Sequence, residues 1–270
     1  MTAERVHAPF GRRAATVLAR EQHGAYVVVR CEDPAGPRPQ AGQFYMLSAA
    51  ERWGGGEDER PFLPRAFSVL RAPAAGRELH FLIEDVGPGT RRLCELASGD
   101  QLQLVGPLGI GWAPPRRDRT PVLVGGGVGI APLAILQDEL TRPHTTLLGF
   151  RDGAHAAGAA LLRNPRVATD DGSAGYSGLV TELLRETLRD DSQVEVYACG
   201  PPAMLEAVRG LCEQTGTPGQ LALESGMACG FGACFGCVVA TREGYVRLCV
   251  DGPVLDVARL STALTPGAGH

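Results

Sequence analysis

The chain has 270 residues, enough for one large domain or two smaller ones, and its formal net charge of −4 argues against broad nucleic-acid binding. All 26 basic residues are arginine, which excludes a lysine Schiff base or a P-loop lysine. No apolar run approaches the roughly 20 residues that span a bilayer, and the opening MTAERVHAPFGRRAA lacks an apolar signal core. The expectation is a cytoplasmic protein that binds neither membrane nor nucleic acid.

From residue 10 to 112 the chain reads as short strands. YVVVRCE, QFYMLSA, RAFSVLRA, ELHFLIEDVG and DQLQLVGPLG are rich in apolar and β-branched residues, with Gly, Pro or Asp between them. Short strands at regular spacing predict a β-sandwich or β-barrel. ERWGGGEDER (51–60) is expected to be a mobile surface loop, and WAPPRRDRT (112–120) a boundary.

From 119 to 222 strands alternate with helices. TPVLVGG is a strand and GIAPLAILQDELT a helix. TTLLGFR is a strand and SGLVTELLRETL a helix, with Ser177 as its expected N-cap. VEVYACG is a strand, and PPAMLEAVRGLCEQTG is a helix with prolines in its first turn and a glycine after its end. This rhythm predicts an α/β domain whose parallel sheet is covered by helices. Residues 223–260 form a short cysteine-rich segment, and 261–270, STALTPGAGH, a disordered tail.

Eight cysteines are present. Cys31, Cys94 and Cys212 read as small buried hydrophobes. Cys229, Cys234, Cys237 and Cys249 give C-x4-C-x2-C-x11-C, the plant-type 2Fe-2S spacing. Three thiolates must converge on one small cluster, and Gly230, Gly232 and Gly236 permit the tight backbone this needs. VVATREGYVRL then reads as a hairpin turning near Glu243–Gly244, which returns the chain to Cys249. Structural zinc and unligated thiols are the alternatives. Zinc sites usually use separated C-x2-C pairs, whereas here three thiols are crowded.

Two further stretches carry nucleotide signals. VLVGGGVGIAPL (122–133) puts Gly125, Gly126, Gly127 and Gly129 in a strand-to-helix turn, where a dinucleotide pyrophosphate can approach the backbone. A tight structural turn is the alternative. YACGPPAM (197–204) ends another strand at the same sheet edge, so Cys199, Gly200 and Pro201 face either a nicotinamide or only packed chain. In PRAFS (64–68) Arg65 can grip a phosphate and Ser68 can donate to a ring atom. GPGTRRL (87–93) offers backbone N–H groups and Thr90 to an anion. Arg151 and Asp152 follow a strand and point opposite ways on a 2′-phosphate.

In combination these motifs resemble the ferredoxin-reductase superfamily. LESGMACGFGACFGCVV, with YVRLCVDGPVLD and GPLGIGW, resembles the electron-transfer subunits of type B dihydroorotate dehydrogenase, over nearly the whole chain. The resemblance implies a β-barrel FAD domain, an α/β nucleotide domain and a C-terminal 2Fe-2S segment. It implies that Arg65, Ala66, Phe67, Ser68, Leu82, Ile83, Glu84, Gly89 and Thr90 line FAD. Cys229, Cys234, Cys237 and Cys249 would ligate the cluster. Gly125, Gly126, Gly127, Gly129, Gly200 and Pro201 would face NAD, with Cys199 at the reacting ring. The implied partner is an FMN-containing catalytic subunit that oxidises dihydroorotate, in a heterotetramer of two chains of each kind. Electrons would pass singly through the cluster to FAD, then as hydride to NAD+.

Three positions depart from that pattern. Phe67 stands where Tyr is common, Gly226 stands where a basic residue is expected, and the 51–60 loop is long. The alternatives are a reductase feeding an oxygenase, an electron-transfer subunit of a sulfide-, hydrogenase- or bifurcation-type complex, and a zinc-stabilised binding module. The chain after Cys229 is short for the complete ferredoxin domain of the first.

Overall fold

A computed structural model describes residues 6–9, 11–54, 61–73 and 77–265. The first half closes into a six-stranded antiparallel barrel. Its strands are β1 (Arg13–His23), β2 (Tyr26–Glu32), β3 (Phe44–Ala49), β4 (Arg65–Arg71), β5 (Glu78–Glu84) and β6 (Gln101–Leu108), in spatial order β1-β2-β5-β4-β3-β6. A short helix, α1 (Pro88–Cys94), follows β5. The inward row is apolar: Val17, Val29, Leu47, Val69, Phe81 and Leu104 have no exposed surface. Closure removes the free edges that would otherwise template aggregation.

The second half is a seven-stranded sheet. In chain order come β7 (Thr120–Gly126), α2 (Ala131–Glu139), β8 (Thr145–Phe150), α3 (Gly153–Ala156), β9 (Arg166–Thr169), β10 (Tyr176–Ser177), α4 (Val180–Asp190), β11 (Val194–Cys199), α5 (Pro202–Thr215) and β12 (Gly219–Ala222). The cysteine-rich segment supplies a hairpin, β13 (Val238–Thr241) and β14 (Gly244–Arg247), one helical turn, α6 (Leu248–Asp251), and β15 (Val254–Asp256). The sheet order is β10-β9-β8-β7-β11-β12-β15, parallel except for the β12–β15 pair. The last strand of the nucleotide sheet therefore comes from the cysteine-rich segment.

The connecting segment is pinned rather than loose. Trp112 is buried, its indole N–H donates to the Pro132 carbonyl at 2.9 Å, and its ring meets Tyr197 edge-on at 5.7 Å. Beyond it, Ala113 N–H donates to Gln220 (2.8 Å) and Arg116 N–H to the buried Glu195 (2.9 Å). Barrel and sheet are thus held in a fixed relation.

Three local expectations need correction. Ser177 does not cap α4, because it is the last residue of β10, paired with Thr169; the Glu182 carboxylate instead accepts from Leu179 N–H at 3.1 Å. The helix predicted over GIAPLAILQDELT begins only at Ala131, since Gly127–Ile130 form a tighter 3-10 turn. The tail is not disordered over 261–265. Leu260 and Ala263 are buried, and the Glu206 carboxylate accepts from Thr262 Oγ1 (2.9 Å) and Ala263 N–H (2.5 Å). Residues 266–270, and 55–60 of the expected surface loop, lie outside the described residues.

Candidate functional site

The cysteine loop is shaped by backbone that L side chains rarely adopt. Gly230 and Gly232 have φ of 78° and 89°, and Phe235 stands at 61°. These bends bring the four thiols together as two pairs. Cys229 Sγ accepts from Cys234 N–H (3.4 Å), while Cys237 and Cys249 Sγ are 3.1 Å apart, with Cys249 N–H donating to Cys237 Sγ (3.5 Å). The hairpin sets the inner pair, because Leu248 N–H donates to the Cys237 carbonyl at 3.0 Å.

The electrostatics of the pairs differ. Burial pushes the Cys229 thiol up, but N–H groups of Cys234, Phe231 and Ala233 outweigh it and bring the thiol down to about 7. Cys249 is pushed up to about 12, by burial and then by the neighbouring Cys237 thiol. Among the described residues no three ligating side chains surround a single point. Four thiols in two pairs suit a two-iron cluster, which takes two thiolates on each iron, better than one tetrahedral zinc. The donor chemistry fits a 2Fe-2S group.

This loop is seated on the barrel. A Cβ on Gly230 would stand 2.4 Å from Met46 Cγ and 3.0 Å from Leu108 Cδ1, so β3 and β6 meet its backbone directly. Arg247 closes the other side, donating to the Gly232 carbonyl (3.0 Å) and lying over the Phe235 ring at 5.3 Å. Gly226 faces open space.

On the barrel, β4 and the turn before α1 come together. Arg65 crosses that turn so closely that a Cβ on Gly89 would meet its Nε at 2.8 Å. Thr90 Oγ1 accepts from Val86 N–H (2.9 Å) and Gly87 N–H (3.0 Å), which fixes the turn. A guanidinium above a helix's first turn is a cradle for phosphate, and it fits the pyrophosphate of FAD. Ala66 is exposed, and Phe67 and Ser68 are partly so. Leu82 and Ile83 are at most 2% exposed, their side chains packed in the core on the two faces of β5, so only their backbone can line a ligand. Glu84 reaches across the domain junction instead, to Arg151 (2.7 Å) and His155 (3.2 Å).

In the nucleotide sheet, β7 and β11 are neighbours, with Gly125 paired to Cys199. Their turns touch backbone to backbone. A Cβ would stand 2.5 Å from the Cys199 carbonyl if placed on Gly129, and 2.6 Å from Met204 Sδ if placed on Gly126. Gly200 likewise abuts the Gly126 Cα, at 3.0 Å from its own would-be Cβ. Cys199 is 3% exposed, and burial followed by the nearby Glu224 carboxylate pushes its thiol well above the usual range. It is a neutral thiol, available for contact but not as a thiolate. Pro201 is exposed at the rim.

Comparison with known proteins decides the family. Residues 224–261 match the model of the iron-sulfur cluster binding domain of dihydroorotate dehydrogenase B. The dihydroorotate dehydrogenase B (NAD(+)) electron transfer subunit of Clostridium acetobutylicum is 35% identical over 216 residues, covering 79% of this chain and 82% of that protein. The subunit of the same name from Caldanaerobacter subterraneus is 34% identical over 247 residues, covering 89% and 94%. This chain belongs to the family of dihydroorotate dehydrogenase B electron transfer subunits. Solved structures share its fold. The NADH-dependent reduced ferredoxin-NADP oxidoreductase aligns at a TM-score of 0.76 with 24% identity, over 94% of this chain and 92% of that one. A ferredoxin NADP+ reductase from Neisseria gonorrhoeae with bound FAD and NADP aligns at 0.58 with 21% identity, over 76% and 92%.

In this electron transfer subunit, some site features have no motif behind them. Glu224 keeps a water-exposed face but is walled in at longer range, and that desolvation raises its carboxyl. Tyr26 is fully buried at the junction, its ring edge-on to His155 at 5.5 Å. Phe231, Phe235 and Tyr245 are 60%, 62% and 81% exposed on the loop and hairpin that hold the thiols. These three exposed aromatics lie close to the cluster ligands along the chain, with the Arg247 guanidinium over the Phe235 ring. For Glu224, Phe231, Phe235 and Tyr245 the signal in the chain is proximity to the cysteine motif, and Tyr26 has none. No helix among the described residues is long and apolar enough to cross a membrane.

Proposed function

We propose that this chain carries electrons between a dihydroorotate-oxidising partner subunit and NAD+. The observation that carries the reading is the pair of thiol pairs seated on the barrel, within a chain whose family is fixed by relatives 34–35% identical over most of its length. Bound FAD supplies interconversion of hydride and single electrons, and the 2Fe-2S cluster supplies single-electron steps.

The chain's own residues bind, orient and insulate. Cys229 with Cys234, and Cys237 with Cys249, hold the two irons. Met46 and Leu108 fix the loop's distance from the barrel. Arg65 and the Gly89–Thr90 turn hold the flavin phosphates, and Ser68 orients the ring. The Gly125–Gly129 turn receives the NAD pyrophosphate. Cys199 and Gly200 form a close-packed floor that leaves no room for water there. The FMN-containing catalytic subunit docks over Phe231, Phe235 and Tyr245, in a cytoplasmic assembly of two chains of each kind.

The test is anaerobic purification of the tagged chain with its bound partner, followed by addition of dihydroorotate and NAD+. NADH formation that stops when the partner is stripped away supports the reading. A preparation that retains flavin and iron, is bleached by NADH, and makes no NADH from dihydroorotate moves the chain to a different redox partner.

A further inference from the structure

The carboxyl ends of β8 and β9 form an unusual edge. In a nucleotide-binding sheet, the strand after the glycine turn carries the group that reads the adenosine ribose. An acidic residue there accepts from the 2′-hydroxyl, and an arginine there takes a 2′-phosphate. Here that strand is β8, and it ends in one residue of each kind, Arg151 and Asp152.

The barrel resolves the ambiguity. Glu84, at the end of β5, takes Arg151 Nη2 at 2.7 Å, and Asp152 lies 3.8 Å from Arg151 Nε. His155 sits between the same two carboxylates, 2.6 Å from Asp152 and 3.2 Å from Glu84. Arg151, the guanidinium at the end of β8, is therefore ion-paired to two carboxylates while its side chain stays 64% exposed. The next strand, β9, ends in Asp170 and Asp171. Asp170 is exposed; its N–H donates to the Phe150 carbonyl (3.0 Å) while its carboxylate makes no hydrogen bond or ion pair among the described residues, and Asp171 accepts from Ser173 N–H (2.9 Å) and Oγ (2.6 Å). The two turns touch, since a Cβ on Gly153 would stand 3.2 Å from Ser173 Oγ.

A second observation ties this edge to a ligand. The Tyr26 hydroxyl is buried with no hydrogen-bond partner among the described residues. Tyr26 pairs with Glu84 in the barrel ladder, and its hydroxyl is 3.9 Å from where a Cβ on Gly127 would stand. A donor without an acceptor thus lies between the Glu84–Arg151 pair and the glycine turn, where a dinucleotide oxygen is the fitting acceptor.

We infer that Glu84 sets the preference for NAD over NADP from the barrel, by occupying Arg151, and that Asp170 and Asp171 reinforce it by repelling a 2′-phosphate. Glu84 is then a specificity-determining residue that acts through Arg151. The inference rests on the reading of the glycine turn as the NAD site.

The experiment uses the complex purified with its partner and cofactors. Oxidation of NADH and of NADPH is followed with ferricyanide as acceptor, and kcat/KM is compared for the two. The wild type is expected to favour NADH. Glu84→Gln, which keeps size and removes the charge, should shift the ratio toward NADPH by about tenfold, as one released charge-assisted contact does. Adding Arg151→Ala to that variant should abolish the shift. Asp170→Asn and Asp171→Asn should each shift the ratio by about threefold. Ratios within twofold of wild type for Glu84→Gln and both aspartate variants overturn the inference, as does a Glu84→Gln shift that survives loss of Arg151. If Glu84→Gln fails to fold or loses flavin, the exposed Asp170→Asn still carries the test. A flavin-loaded wild type that favours NADPH overturns this inference alone. One that oxidises neither nucleotide overturns the underlying NAD reading as well.

Discussion

The cysteine loop and the glycine turn are both glycine-rich, and they draw on glycine in different proportion, the first mainly for backbone freedom and the second mainly for close approach. In the cysteine loop Gly230 and Gly232 sit at φ of 78° and 89°, where a side chain strains the backbone itself. In the nucleotide turn Gly127 alone has positive φ, 55°, and at Gly125, Gly126 and Gly129 the demand comes from packing: Ile130 and Leu148 crowd the first, Met204 and Pro201 the second and the Cys199 carbonyl the third, at 2.5 to 3.0 Å from their would-be Cβ atoms. The first loop bends to present sulfur. The second flattens so that two strand ends can lie together. A glycine pattern in a sequence does not separate these uses, but the residues between the glycines do. Thiols at fixed spacing have one efficient explanation, whereas apolar residues between glycines fit either a ligand or a close-packed turn.

The sharpest way to break the comparison is to remove ligands. Cys237→Ser or Cys249→Ser should leave almost no bound iron, read by metal analysis and visible absorbance, while Cys212→Ser should keep full iron content. Cys212 is buried in α5 with its sulfur against Gly219 of β12 and not among the thiols of the cysteine loop, so it plays no part in ligation. Equal iron loss in all three would erase the distinction between clustered and scattered thiols.

Next in size is Gly129→Ala. Its new methyl meets the Cys199 carbonyl and the Gly200 backbone, neither of which can swing away, so the cost is about 3 kcal/mol in urea denaturation. Gly244→Ala, at φ 122° with nothing within 4 Å, should cost only about 1 kcal/mol, from backbone strain alone. A reversed order would mean that the turns part easily.

The tail offers a pH test. Arg209, with the Ala263 N–H and Thr262 hydroxyl, holds the Glu206 carboxyl down at about 2 against the 4.5 of a free group. A depressed carboxylate contributes stability that is complete above its unfolded value and lost as pH falls toward its folded one. The Tm advantage of wild type over Glu206→Gln should therefore be full at pH 6 and shrink between about pH 5 and pH 2. The smallest effect expected is Gly226→Ala, within about 0.5 kcal/mol, because nothing lies within 4 Å of the added methyl.

Most of the architecture is readable from the chain because the barrel strands and the strand–helix alternation repeat a local pattern. YVVVRCE forms β2 and VEVYAC forms β11. The misreadings share a cause, which is that a distant partner decides. Ser177 has the chemistry of a cap, but Thr169 draws it into a strand. STALT looks like loose tail, but the Glu206 that binds it lies 56 residues upstream of Thr262. At the site, thiol spacing is a local signal. The Glu84–Arg151 contact joins residues 67 apart and leaves no trace in either neighbourhood. Leu82 and Ile83 stand in a motif stretch yet give their side chains to the core, which leaves their backbone to meet a ligand.

The origin of β15 has a consequence for how the chain is made. β12 pairs with β11 on one side, and its other side stays open until Val254–Asp256 arrives. During synthesis that edge is bare while the cysteine loop is still emerging from the ribosome. An unpaired strand edge is where a neighbouring chain can add itself wrongly. The order of events then favours completing the protein before loading it: the strand that seals the nucleotide sheet is translated five residues after Cys249, the last thiol, so one short stretch of chain finishes both jobs together.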